Sequence, residues 1–76
     1  SGAVSRVCAF LNPEDNSTAR TINPNTTYPP GPGKAWYRPN AALYASQDTA
    51  INNGAKQTTG YSLPLADVIF FEEKAA

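Results

Sequence analysis

Six of the seven prolines lie between Pro13 and Pro39, and no other feature limits this chain so tightly. Proline fixes its own φ, brings no amide donor to a ladder, and pushes the residue before it toward extended conformations. Residues 12–40 also hold five of the seven asparagines, together with Thr18, Thr21, Thr26 and Thr27. Neither a long helix nor a wide sheet can be built from such a stretch. The expectation is an extended arm or ordered loop, interrupted at most by a short strand over residues 18–22 before the Trp36 region is reached. Irregular segments of this length are usually functional or disordered, and Trp36 and Tyr37 within it favour a functional one.

The flanking segments read as short strands. Val4, Val7, Cys8 and Leu11 fit a helical stripe, but the segment is eight residues long, carries two valines and a phenylalanine, and stops at Asn12-Pro13. Short length and β-branching predict a strand. Residues 35–37 and 42–46 read as strands broken at Arg38-Pro39-Asn40. Asn53-Gly54 accepts the positive φ of a type I′ turn, which predicts a hairpin with strands near 48–52 and 55–59. Tyr61, Leu63 and Leu65 alternate with polar or small residues, and Pro64 assigns them to an edge. Val68, Ile69, Phe70 and Phe71 form the most apolar run and predict the central strand. Residues 72–76 read as a helical turn or a frayed end. No internal repeat is visible. The sum is one domain over residues 1–76: an all-β small barrel or sandwich of short antiparallel strands, α+β only if a terminal segment is helical.

The supply of core residues is thin. Leu, Ile, Val and Phe number thirteen, rising to nineteen with Trp, Tyr and Cys, while twelve alanines inflate the hydrophobic fraction. Small domains with this shortage usually add a disulfide, a metal or a partner subunit. A lone Cys8 excludes an internal disulfide. With no histidine and one cysteine, the imidazole and thiolate ligands of a transition-metal cage are missing. A partner surface is the remaining device. Zero net charge and 11% aromatics separate the chain from disordered sequences. The same zero charge argues against nucleic-acid or anionic-membrane partners, whose affinity rests on clustered Lys and Arg. No run of about 20 apolar residues suits a membrane helix, and no basic-then-apolar leader pattern opens the chain.

Catalytic patterns are equally scarce. Triads and imidazole acid–base chemistry need a histidine. Glu14-Asp15 and Glu72-Glu73 are sequence neighbours, which on a strand point to opposite faces rather than into one cleft. Cys8 shares a strand face with Arg6 but sits among apolar neighbours, as a small buried hydrophobe does. Gly31-Pro32-Gly33-Lys34 fails as a phosphate loop because Tyr28 and Ala35 stand where Gly and Ser or Thr are required. Asn12, Glu14 and Asn16 lack the glycine and terminal glutamate of a calcium loop. Asn16-Ser17-Thr18 and Asn25-Thr26-Thr27 match the glycosylation sequon. These readings point away from an enzyme and from any cofactor or metal.

The candidate binding residues are Tyr28, Pro29, Pro30, Trp36, Tyr37 and Arg38, because Tyr, Trp and Arg dominate interface hot spots. The competing expectation is that Trp36 plugs the small core while the prolines stiffen the loop. The leading functional expectation is a non-enzymatic structural or assembly protein, a small β subunit bound through this segment to a larger shell such as a viral capsid or its decoration. The sequence leaves the location open, as virion- or assembly-associated or secreted. A glycan-binding module is the alternative, with Tyr28, Trp36, Tyr37 and Tyr61 as stacking platform and Arg38 and Asn40 as hydrogen-bonding groups. A secreted inhibitor or effector presenting a proline-rich loop is the third.

Overall fold

The computed structural model describes residues 2–14, 17–41, 49 and 51–76. Among these residues, five strands and one helical turn follow in the order β1 (Arg6–Leu11), β2 (Arg20–Ile22), α1 (Pro24–Thr27), β3 (Lys34–Tyr37), β4 (Tyr61–Leu63) and β5 (Val68–Ala75). β5 lies between β1 and β3 in an antiparallel three-stranded sheet, and β2 pairs with β4 in a second antiparallel sheet. The protein is therefore a small all-β domain, 6% helical, whose sheets do not close into a barrel. The expected strand over residues 42–46 lies outside the described residues.

Period-2 alternation explains the main sheet. Cross-strand partners share a face. Phe10 stands opposite Ile69, Cys8 opposite Phe71, and Arg6 opposite Glu73, which faces Trp36 on its other side. These rows form the inner face. Phe10, Trp36, Ile69 and Phe71 are buried there, joined by Ile22 and Leu63 from the second sheet. All five strands thus supply the core. The Phe10 and Phe71 rings meet edge to face at 6.0 Å, an arrangement the ring quadrupoles favour. The competing helical stripe would have buried Val7 and Leu11. As strand residues they point outward and are 58% and 56% exposed.

Two local readings are corrected. Residues 72–76 are neither a helical turn nor a frayed end: β5 runs on to Ala75, with β1 and β3 on its two sides. Pairing on both edges gives the polar Glu-Glu-Lys residues a ladder that an isolated tail lacks. Asn53-Gly54 does not turn a local hairpin. Gly54 has φ +75°, but Asn53 does not adopt the positive φ that a type I′ turn also needs. Instead the Asn53 side chain accepts from Ala55 N at 3.0 Å. The chain then runs antiparallel beside β3, with Gly54 N donating to Pro39 O, Arg38 N to Ala55 O and Gln57 N to Trp36 O. Tertiary pairing with β3 takes the backbone groups that a hairpin would have used.

The proline-rich stretch carries β2, α1 and β3. Asn23 caps α1 by accepting from Asn25 N at 3.0 Å, Pro24 fills the first helical position, where no amide donor is needed, and Tyr28 N closes the turn on Pro24 O. Pro24 is itself fully buried. The chain exposes 4478 Å², close to the roughly 4500 Å² of a compact monomer of 8.1 kDa. Buried Asn12 ties the two sheets together: its Nδ2 donates to Thr18 O at 3.1 Å and to Leu63 O at 3.0 Å.

Candidate functional site

The six sequence-selected residues do not form one surface. Trp36 is 1% exposed and lies in the core, so its indole offers no face to a partner. Strand alternation turns it inward, and its Nε1 donates to Tyr28 O at 2.7 Å. Tyr37, next along β3, points to the outer face. There its hydroxyl donates to Ala75 O, and Lys74 Nζ sits 4.9 Å from the ring centre. Arg38 is half-buried, donates from Nε to Gln57 Oε1 at 3.0 Å and lies over Tyr61 at 5.4 Å. The expected four-aromatic platform is thereby divided among the core, the outer face and a side wall. Of the set, Tyr28 remains well exposed at 42%.

Pro29 and Pro30 run over a clamp that the sequence did not reveal. The Glu73 carboxylate accepts from Arg6 Nε at 2.9 Å, Arg6 Nη2 at 2.8 Å, Ser5 Oγ at 2.9 Å and Gly31 N at 2.9 Å. Arg6 Nη2 also donates to Pro29 O, and its guanidinium lies 5.2 Å from the Trp36 ring centre. Arg6 reaches in from a half-exposed position, while the Glu73 side chain is 4% exposed. The Arg6 hydrogen bonds, then those from Gly31 and Ser5, hold the Glu73 pKa down to about 2. The same pairing raises the pKa of Arg6. Burial pushes the Cys8 thiol up to about 11, against the pull of Arg6, so it stays protonated at neutral pH and lacks the thiolate that a nucleophile needs. Glu72 and Glu73 do point to opposite faces. What sequence could not show is that Glu73 meets Gly31, 42 residues away.

Among the described residues, two open surfaces stand out. One is the outer face and edge of β1. Asn12 N donates to Asp67 O, so alternation directs the backbone groups of Val7, Ala9 and Leu11 away from β5. Leu11 O accordingly accepts from Arg20 Nη1 at 2.7 Å. On that outer face Val7, Ala9 and Leu11 adjoin half-buried Val68 and Phe70. The other surface is a cleft of about 510 Å³ between β1 and the β2–α1 segment. Apolar Ala9, Phe10, Leu11 and Ile22, polar Arg20, Thr21, Asn23, Thr26 and Thr27, and Tyr28 line it. Within the described residues, no cluster of three or more Cys, Asp and Glu side chains is placed to hold a metal ion, and no helix is long and apolar enough to cross a membrane. Asn16 lies outside the described residues. Asn25 Nδ2 donates to Asn23 Oδ1 and Gln57 O, so the second sequon's amide is engaged within the fold.

Compared with protein-family models, curated proteins and solved structures, the chain matches none of them.

Proposed function

We propose that this chain is a non-enzymatic assembly subunit, a small β domain that joins other protein subunits in a larger shell or complex, such as a viral capsid or its decoration. The contact surface in this reading is the edge and outer face of β1 rather than the proline-rich segment. One observation carries it: Val7 and Leu11 are 58% and 56% exposed on a strand that has β5 on one side and no strand on the other among the described residues. Natural edge strands are commonly blunted by lysine, proline or a bulge. β1 contains neither lysine nor proline, and its one charge, Arg6, is turned to the inner face and paired with Glu73. The exposed aliphatic face suits burial against another chain, with main-chain pairing limited to Val7 and Ala9 because Arg20 Nη1 already holds Leu11 O. The proline-rich loop is less suited to entering another protein's cleft, because Arg6 holds Pro29 O and Glu73 holds Gly31 N.

Sedimentation of the isolated chain over a range of concentrations tests the reading. Association is expected, and Val7→Lys is expected to abolish it while leaving far-UV circular dichroism unchanged. A wild-type chain that stays monomeric throughout and melts cooperatively above about 60 °C unaided would overturn the proposal.

A further inference from the structure

The cleft between β1 and the β2–α1 segment carries a second reading, although it shares Ala9 and Leu11 with the proposed assembly surface. We infer that it is a saccharide-binding site in which the exposed Tyr28 ring takes the apolar face of a sugar and the polar groups around it take the hydroxyls. A pyranose ring has a face of C–H groups and a rim of hydroxyls that both donate and accept. A site for it needs an accessible aromatic ring beside short side chains with the same dual capacity. Thr21, Thr26 and Thr27, whose hydroxyls donate and accept, line the cleft with Asn23 and Arg20; Asn23 Oδ1 is engaged by Asn25 and Arg20 Nη1 by Leu11 O, which leaves the Asn23 Nδ2 and the remaining Arg20 donors. The volume, about 510 Å³, falls in the ordinary range for small-molecule clefts.

Tyr28 is held in place before any ligand arrives. Its amide donates to Pro24 O at 2.8 Å, its carbonyl accepts from buried Trp36 Nε1 at 2.7 Å, and its ring is propped by Phe10 at 5.9 Å between centres. A residue held at its amide and carbonyl, with its ring propped on one side, loses little conformational freedom on binding. An extended peptide is the competing occupant, since β1 borders the cleft. Arg20 argues against it: its Nη1 already occupies Leu11 O at 2.7 Å and bridges the two sides at that point. A continuous added strand would have to break that bond, whereas a compact sugar would not.

The probes are cellotriose, chitotriose and mannotriose, each titrated at millimolar concentration into the isotopically labelled chain and followed by amide NMR. Saturable shifts centred on Thr21, Thr26 and Tyr28 are expected with at least one probe. Tyr28→Ala should weaken that binding about tenfold or more, the loss of roughly 1.4 kcal/mol of stacking. Tyr28→Trp should retain it, which separates stacking from a merely structural role. The inference is overturned if none of the three sugars shifts these amides, if Tyr28→Ala binds as well as wild type, or if an extended peptide competes for the same shifts more strongly than any sugar. Val7 lies outside this cleft, so Val7→Lys should leave sugar binding intact even where it abolishes association.

Discussion

The two faces of the β1–β5–β3 sheet differ more than their sequences suggest. The inner face stacks Phe10 on Ile69, Cys8 on Phe71, and Arg6 on Glu73 beside Trp36. It is shut by the second sheet and by the proline-rich loop. The outer face presents Val7, Ala9 and Leu11 at one end, and Glu72, Lys74 and Tyr37 at the other. The inner face thus buries a carboxylate while the outer face exposes aliphatic side chains. Side-chain type alone does not decide burial. A charge can go inside where its partners are met, and a valine can stay outside where no described residue covers it.

That contrast can be broken most severely at Trp36. Trp36→Ala removes the largest inner side chain and the donor to Tyr28 O, and should cost about 3–5 kcal/mol. In so small a domain, near-UV circular dichroism should show the tertiary fold lost or nearly so.

Acid should act on the same face. Glu73 has its pKa lowered to about 2 from an ordinary 4.5. Its ionised form therefore contributes stability that is fully present above about pH 4.5 and is lost as pH falls toward 2. Melting temperature should drop through that window. Glu73→Gln should melt lower than wild type at neutral pH and show a flatter profile between pH 4.5 and 2. Superimposable slopes for the two proteins would mean that the clamp on Gly31 carries no stability.

Asn12 links the inner layer to the second sheet. Asn12→Ala removes two hydrogen bonds and leaves the buried Leu63 carbonyl without that donor. A loss of about 1–3 kcal/mol is expected, with melting lowered by about 4–8 °C per kcal/mol. Glycines give a finer test. Gly54 and Gly33 both hold positive φ, +75° and +70°, but a Cβ at Gly54 would run into Asn40 Oδ1 whereas one at Gly33 meets nothing within 4 Å. Gly33→Ala should cost about 1–2 kcal/mol of backbone strain alone, and Gly54→Ala more, because the strand-like pairing with β3 must also shift. The smallest effect is expected on the outer face, where Val7→Lys should change the stability of the monomer by less than about 0.5 kcal/mol. Thermal melts at matched low concentration, where association is absent, check all four.

The all-β class, the strand at β1, the edge placement before Pro64 and the central position of β5 could be read directly from residue pattern. So could the opposite orientation of Glu72 and Glu73. Each follows from restrictions within a few residues: proline's φ, β-branching and period-2 alternation. Tertiary structure alone decided which of the two readings of Trp36 holds, that Asn53-Gly54 pairs with β3 instead of folding back on itself, and that Glu73 seizes a loop far earlier in the chain. It also decided which candidate residues meet: Tyr28 came to border a cleft with Arg20 and Thr26, while Trp36, Tyr37 and Arg38 were sent to three different surroundings. Those outcomes depend on which strands become neighbours. Long-range pairing of that kind is selected by the packing of the whole core and the satisfaction of its polar groups, and no local stretch of sequence contains it.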